Sequence, residues 1–418
     1  MAENLLFVPP PIDPGDPGPP PESSILLDPF GHIDARRNAT TAGCFTRSGD
    51  YLLVTFWLVQ QPRVSFFTAH CPRLPVTVFR RSPKIVTTED DLVLLRAALR
   101  PCGFDKDEDI NDYFVYQAGA PSKQLPSLHM IPRAPVLEFH DGEPVLLRCR
   151  DRDMFFIAIL HRRYMEHHLV EQFDLHLYNS STNTWSTRPM HSPEHFESTF
   201  FVFASSKAIT IGGDLGSAGW VDRCWGILVR DLLGSSHHLR YISLPSPIVA
   251  KPIQGSPRYN ECCPYIIDGC EAGTMILSKN YSSWEEDCSM KLSMEHLTHP
   301  RFAELLSCFQ GKDTQPVSMG YNVGYPALSL HHDVVYITNK LLPRNLVDDR
   351  AWVVAVDMRQ QTRQDVGYYC AGPLSCASTF IQSGISQHLV TWTVFAMSMD
   401  DMPHTWQREI EWQMGTTT

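Results

Sequence analysis

The sequence predicts a mainly β fold built from repeated groups of short antiparallel strands, arranged like the blades of a β-propeller. Short segments rich in β-branched and aromatic residues, separated by polar turns, follow one another along most of the 418 residues. In the central and C-terminal parts, a unit of strand, polar turn and aromatic-bearing strand recurs at a spacing of roughly 40–50 residues, which is the length of a four-stranded blade. A β-sandwich with long connections is the alternative.

The N-terminal region differs in composition from the rest of the chain. Residues 9–21 hold eight prolines, which favour an extended, solvated conformation that cannot form a packed core. We therefore predict a disordered tail over residues 1–23, with a proline-rich ligand of an SH3 or WW domain as the alternative. A single large propeller-like domain is predicted over residues 24–400, beginning near Ser24, and a C-terminal tail over residues 401–418.

Five segments in the first 160 residues have the composition of strands, because they are rich in β-branched and aromatic residues. The first two flank a hairpin-like break at residues 60–62. The five segments are Asp50–Val59, Arg63–Thr68, Val76–Phe79, Val145–Arg148 and Met154–Leu160.

Two short helices are predicted to interrupt the strands. Residues 88–91 offer an N-cap threonine followed by acidic residues, and Leu92, Leu95 and Leu99 then follow at helical spacing. A second helix is predicted from Pro300 to Phe309, ending at Gly311.

The recurring units of the central and C-terminal parts consist of an alternating strand, a polar turn and a second strand that carries an aromatic residue. Further strands precede two of these units, and residues 246–320 form an insertion between them. The paired strands are Phe173–Tyr178 with Trp185, Trp225–Asp231 with Leu239–Leu244, and Trp352–Asp357 with Val366–Tyr369; the preceding strands are Phe200–Ala204 with Ala208–Ile211, and Ala327–Leu330 with Val334–Ile337.

Charge and hydropathy exclude several classes of function. The chain has 46 acidic and 35 basic residues, a net charge of −11, and therefore no basic footprint for nucleic acid. Its longest strongly apolar run, residues 51–59, is about half of the roughly 20 residues that a membrane-spanning helix needs. No secretory signal is visible, so we predict a cytoplasmic or nuclear protein whose cysteines are reduced.

The sequence contains none of the common catalytic motifs. It lacks a phosphate-binding P-loop, a nucleophile elbow and a zinc-binding helix, and the glycine-rich run Gly212–Gly219 is predicted to be a loop between strands. The cysteines around Cys262, the histidines around His167 and the acidic run Asp105–Asp112 lack the spacing of metal sites. We therefore predict no catalytic residue, no metal and no cofactor.

One segment, Gly219–Pro245, resembles a family of plant proteins that is expanded in grasses and known as domain of unknown function 1618. The matching positions are Gly219-Trp220-Val221-Asp222, Gly226-Ile227-Leu228, Asp231, Arg240-Tyr241-Ile242 and Leu244-Pro245, with the earlier run Asn38–Ala42.

The resemblance has two departures. The tryptophan of the middle positions Arg223-Cys224-Trp225 lies one place later than in the family, and Arg230 replaces a frequent cysteine. The family supplies no established activity. Plant proteins of similar organisation join an F-box to a kelch-like or F-box-associated-like part, but this N-terminus has no leucine-rich helical segment of that kind.

The motif supplies the candidate site residues. Trp220, Asp222, Trp225 and Asp231 are predicted either to fill the space between sheets and cap turns, or to line a rim that binds a partner. Because repeated sheets create broad loop-lined faces, we predict a noncatalytic interaction module with an unknown protein partner. The alternatives are an enzyme whose active site is assembled from separate blades, and a binder of a small molecule or metal.

Overall fold

A computed structural model describes thirteen stretches of the chain, which form six β-sheets. The proline-rich residues 1–23, the tail 401–418 and the predicted helix at 300–309 lie outside these stretches. The described residues are 24–99, 111–119, 125–136, 139–163, 172–193, 203–222, 226–244, 270–277, 284–292, 320–323, 327–342, 350–370 and 380–389.

The first sheet combines strands from both ends of the described chain. Its strands are β1 (Ile25–Leu27), β2 (His32–Ile33), β3 (Ala42–Phe45), β4 (Tyr51–Trp57), β5 (Val64–His70) and β25 (Ile381–Ser383). The order is β25-β1-β5-β4-β3, with β2 beside β5. β1 pairs antiparallel with β25 and parallel with β5, so that the N-terminal strand bridges the C-terminal strand and the rest of the sheet.

The next three sheets are four-stranded antiparallel meanders. The second contains β6 (Lys84–Glu89), β7 (Leu92–Ala98), β8 (Asn111–Gln117) and β9 (Ser127–Ile131). The third contains β10 (Pro144–Cys149), β11 (Met154–Arg163), β12 (Gln172–Asn179) and β13 (Thr184–Met190). The fourth contains β14 (Lys207–Gly212), β15 (Ser217–Asp222), β16 (Gly226–Asp231) and β17 (Arg240–Ile242).

Two further sheets follow. The fifth is a hairpin of β18 (Cys270–Leu277) and β19 (Trp284–Leu292), which lies within the segment predicted as an insertion. The sixth has the order β20-β22-β23-β24, with β21 beside β22. Its strands are β20 (Gly320–Val323), β21 (Ala327–Leu328), β22 (Val334–Leu342), β23 (Arg350–Asp357) and β24 (Thr362–Cys370).

Polar contacts run from each sheet to the next and from the sixth sheet back to the first. The pairs, in order, are Arg47–Asp112, Lys84–Asp141, Trp220–Glu143, Trp284–Ser243, Arg359–Asp287 and Tyr336–Gln61. The apolar cores lie between neighbouring sheets: one joins the first and second sheets, another the third and fourth, and a third the sixth and first. This arrangement confirms the predicted mainly β, blade-like fold.

The predicted helix at residues 88–99 is wrong. Thr88 lies within β6, and Leu92 is the first residue of β7. Asp90 and Asp91 form the turn of the β-hairpin between these strands. Asp90 has a φ of +55°, a left-handed conformation that aspartate tolerates better than most residues. The acidic residues that suggested the first turn of a helix therefore make the hairpin turn.

Two other predicted strands differ from the structure. Val76–Val78 forms a single turn of 3-10 helix, in which the Val78 amide donates to the Pro75 carbonyl oxygen instead of to a neighbouring strand. Phe203 and Ala204 lie outside any strand, because the Ala204 amide donates to a side chain; residues 200–202 lie outside the described stretches. The other described helical segments are also single 3-10 turns, Arg150–Arg152 and Ile385–Gln387.

The cysteines with described side chains form no disulfide; they are Cys44, Cys71, Cys149 and Cys288. Burial raises the pKa of both Cys44 and Cys71 to about 12. Since the thiolate is the nucleophile, we expect iodoacetamide to alkylate these two at least a hundredfold more slowly than a model thiol at pH 8. Peptide-level mass spectrometry of the native protein measures this rate. Fast alkylation of Cys44 or Cys71 under conditions that suppress unfolding would contradict the prediction.

Candidate functional site

Trp220 lies in β15 and is completely buried between the third and fourth sheets. Its indole Nε1 donates a hydrogen bond to the Glu143 carbonyl oxygen at 2.8 Å, in the segment that leads into β10. The side chain thus fills the space between two sheets and satisfies its own polar group there. The indole therefore has no exposed surface that a partner could contact.

The two acidic residues of the motif also bind groups of the chain itself. The buried Asp222 carboxylate accepts a hydrogen bond from the Ala204 amide at 2.8 Å. The Asp231 carboxylate accepts one from the Ser217 hydroxyl, and it pairs with Arg240 at 2.9 Å. These contacts fix the strands of the fourth sheet at both ends. Trp225 lies outside the described residues.

The turns of several sheets meet at one end of the molecule. In an antiparallel meander, the turns after the first and third strands lie at the same end. Asp90 in the first turn of the second sheet pairs with Arg150 in the first turn of the third. His388, which follows β25, lies 2.9 Å from the Asp90 carboxylate, measured from its Nε2. The strand ends of three sheets are thereby brought together.

The turn before β5 lies at the same end, because β5 runs parallel to β1 and therefore opposite to β25. The Tyr336 hydroxyl donates to the Gln61 side chain and joins this turn to the sixth sheet. We call this end the turn face. It comprises the turns and connections at residues 60–62, 89–91, 125–126, 150–153, 213–216, 231–234, 330–333 and 358–361.

A polar cleft of about 610 Å³ opens on the turn face between the sixth and first sheets. One wall is the turn before β5, and the other consists of the turns and strand ends of β21 to β24. The lining residues are Gln60, Gln61, Pro62, His331, His332, Asp333, Val334, Tyr336, Ala355, Asp357, Arg359, Gln360, Gln364 and Asp365.

Asp357 organises one wall of the cleft. Its Oδ1 accepts hydrogen bonds from the backbone amides of Arg359 and Gln360 at 3.0 and 2.8 Å. Its Oδ2 accepts one from the Gln364 side chain at 3.0 Å. Both carboxylate oxygens therefore stabilise the turn between β23 and β24.

The other charged groups of the cleft are arranged around Arg359. Its guanidinium binds Asp333 across the cleft wall and Asp287 of the fifth sheet. Hydrogen bonds to these two carboxylates, led by Asp333, raise the pKa of Arg359 above its ordinary value. Asp365 accepts one hydrogen bond at Oδ1, from the next backbone amide, and the side chains of His331 and His332 are exposed.

Exposed leucines lie on the turn face in the second, fourth and sixth sheets. Leu215 and Leu233 lie in adjacent turns of the fourth sheet, where the Leu233 amide donates to the Leu215 carbonyl oxygen at 3.1 Å. Their exposed fractions are 52% and 44%, and Leu125 and Leu330 in other turns of this face are 55% and 52% exposed. Leu215 and Leu233 are neighbours, and adjacent apolar side chains left exposed to water are typical of a surface that contacts another molecule.

A partly buried carboxyl group lies beside the turn of the second sheet. Burial, with a smaller contribution from the charge of Asp90, raises the pKa of Glu89 to about 7, although a hydrogen bond with Thr210 opposes the change. In the unfolded chain this carboxyl titrates near its ordinary pKa of about 4.3. The folded protein therefore loses stability as the pH rises through the interval between these two values.

We expect Glu89→Gln to increase the free energy of unfolding by roughly 1–2 kcal/mol at pH 8, because the amide needs no ionisation. This is less than the full value of the pKa shift, since the side chain keeps some contact with water. Urea unfolding at pH 8 and at pH 4.5 measures the effect, and the gain should shrink at the lower pH. An equal gain at both pH values would show that ionisation of Glu89 is not its source.

No family model, curated protein or solved structure matches the chain. In the part of the chain that the structure describes, no group of three or more histidine, cysteine, aspartate or glutamate side chains could hold a metal ion. The sequence analysis considered three clusters as metal sites and rejected them. Of these, His167, Cys262 and the acidic run up to residue 110 lie outside the described part. None of the helices among the described residues has the length and apolar character needed to cross a bilayer.

The sequence analysis did not find the cleft. Its lining comes from three separate segments, around residues 60, 332 and 360, and none of them carries a recognisable motif. The adjacent pair His331-His332 followed by an aspartate was the one local signal that could have drawn attention to this site.

Proposed function

We propose that the protein is a noncatalytic protein-interaction module, and that the turn face is its binding surface. The observation that carries the proposal is that the turn face combines an open polar cleft with exposed leucines in several of its turns. Protein-binding surfaces usually combine two kinds of group. Polar groups give specificity, and apolar side chains contribute binding free energy when they are removed from water. We infer in addition that the chain belongs to the plant family it resembles and acts in the cytoplasm or nucleus.

The bonding of the cleft supports binding over catalysis. Asp357, which could serve as a general base, has both oxygens occupied by donors of its own turn. Asp333 is paired with Arg359, and the Tyr336 hydroxyl donates to Gln61. A reaction needs groups that can exchange protons with a substrate, whereas these groups stabilise the cleft walls.

The test uses a photo-crosslinking residue at position 233 on the turn face. The protein carrying p-benzoylphenylalanine there is irradiated in a grass-leaf extract, and the crosslinked protein is identified, purified and titrated against the unmodified chain. The double variant Leu215→Ser/Leu233→Ser should weaken its affinity at least tenfold, because about 1.4 kcal/mol of lost apolar contact has that effect.

The matched control is Phe45→Ser. Phe45 is 48% exposed and ends β3 at the end of the first sheet opposite to the turn face. This variant should bind the partner with unchanged affinity, and all variants should keep the circular dichroism spectrum of the parent. Equal binding by the leucine variant, or a loss confined to Phe45→Ser, would refute the turn face as the binding surface.

A further inference from the structure

We infer that the cleft between the sixth and first sheets receives an arginine side chain of the partner protein. This inference rests on the proposed function and specifies the chemistry that the partner must present. Three features of the cleft carry it: its charge, the way it already holds a guanidinium group, and the remaining capacity of its polar side chains.

The charge of the cleft is negative. Its lining has three carboxylates, Asp333, Asp357 and Asp365, and one guanidinium, that of Arg359. Arg359 is also bound by Asp287, which adds a fourth carboxylate to the same surroundings. With 46 acidic and 35 basic residues, the chain as a whole adds to this negative potential. A cationic group is therefore attracted to the cleft, and an anionic group is repelled.

The cleft already shows how it binds a guanidinium. Arg359 uses Nε for Asp333 and Nη2 for Asp287, so that two carboxylates from different sheets share one planar group. Arginine suits such sites because its donors form a rigid planar fork, whereas the ammonium of lysine is a compact point charge with a larger hydration cost. A second guanidinium would find the same type of acceptor elsewhere on this wall of the cleft, in β24.

Asp365 is the acceptor that we assign to this second guanidinium. Asp365 lies within β24 at the border of the cleft, and its Oδ1 accepts a hydrogen bond from the Val366 amide, which orients the carboxylate. A carboxylate can accept about four hydrogen bonds in all. The exposed rings of His331 and His332 supply flat surfaces on which a guanidinium stacks.

The N-terminal segment of this chain does not have the required chemistry. It joins the described structure at Ser24, whose hydroxyl lies 3.4 Å from the Gln61 amide at the cleft. Residues 1–23 contain four acidic residues, Glu3, Asp13, Asp16 and Glu22, and no lysine or arginine. The charge of the cleft therefore does not favour this segment as its occupant, whereas it favours an arginine of another protein.

The test measures the fluorescence anisotropy of labelled peptides titrated with the full chain. The probe peptide carries two arginines in a glycine–serine background, and matched peptides carry citrulline or lysine instead. Citrulline keeps the shape and removes the charge. We expect the citrulline peptide to bind at least tenfold more weakly, the lysine peptide to bind more weakly than the arginine peptide, and added salt to reduce the affinity.

Two variants of the protein locate the binding. Asp365→Asn should weaken arginine-peptide binding about tenfold, because it removes a charge-assisted hydrogen bond. Asp214→Asn is the matched control: it makes the same change of net charge in an exposed turn of the turn face, in the fourth sheet, and should leave the affinity unchanged. Equal losses in both variants would show general charge attraction and overturn the assignment of the cleft.

Two other results would overturn the inference: equal binding of the arginine and citrulline peptides, or equal binding of the lysine peptide. Neither result touches the proposed function, which depends on the leucine variants and the purified partner. If the leucine variants lose that partner while the arginine, citrulline and lysine peptides bind equally, the proposed function is supported and the arginine assignment is wrong.

Discussion

Replacing Trp220 with alanine is expected to lower the free energy of unfolding by about 3–5 kcal/mol. The indole is completely buried between the third and fourth sheets, so its removal leaves a cavity that the surrounding strands cannot close. The change also leaves the Glu143 carbonyl oxygen without the donor that the indole supplies. Urea unfolding followed by far-ultraviolet circular dichroism measures the loss.

The matched variant for this prediction is Trp220→Phe. Phenylalanine keeps most of the apolar contact and removes the hydrogen bond, so we expect a smaller loss of about 1–3 kcal/mol. If instead the alanine variant keeps its stability and loses the partner, Trp220 acts as a contact residue and our account of its packing is wrong. The pair of variants therefore distinguishes the two roles that the sequence analysis assigned to this tryptophan.

Replacing Gly367 with alanine is expected to destabilise the contact between the sixth and first sheets. A Cβ atom at this position would lie 2.7 Å from the Pro62 carbonyl oxygen and from the Arg63 backbone nitrogen. Backbone atoms cannot rotate away as a side chain would, so the two sheets must separate. Overpacking of this kind costs about 1–3 kcal/mol.

This substitution should also weaken binding of the arginine peptide, because the turn at Pro62 is one wall of the cleft. The control is Gly234→Ala, where a Cβ atom would make ordinary contacts at 3.4 Å and no loss is expected. Thermal unfolding and peptide titration of the two variants provide the comparison. A Gly367→Ala protein with unchanged melting temperature would show that the two sheets are not held as closely as described.

Much of the β architecture was predictable from local sequence. The segments beginning at Tyr51, Val64, Pro144 and Met154 form strands as predicted, and so do both strands of the unit that contains Trp352. These segments are dense in β-branched and aromatic residues and end at polar turns. Their composition alone was sufficient to identify them.

The false helix has a physical explanation. β7 is buried along almost its entire length, because other sheets cover both of its faces. Such a strand shows no alternation of apolar and polar residues, and a continuous apolar run also contains leucines at helical spacing. Leu92 and Leu95 fitted a helix for this reason. Asp90 and Asp91 were the informative residues, because they form the hairpin turn, but the sequence analysis assigned them to the first turn of a helix.

The site was less predictable than the fold. The motif residues Trp220, Asp222 and Asp231 were identified from local sequence, and their packing and hydrogen-bonding roles were among the predicted ones. The cleft depends on Gln61 and Asp357 meeting across two sheets, a contact set by tertiary structure. No pattern within one segment reports a contact between residues so far apart in the chain.

The pairing of β1 with β25 has a consequence for how the protein is synthesised. Ile25 leaves the ribosome long before its partner Ser383, because most of the described chain lies between them. Until then one edge of β1 has no neighbour, and an unpaired strand edge invites pairing with another chain. Closing so long a loop is also slow. The nascent protein should therefore depend on chaperones until β25 emerges, and shortened chains that end before Ile381 should aggregate.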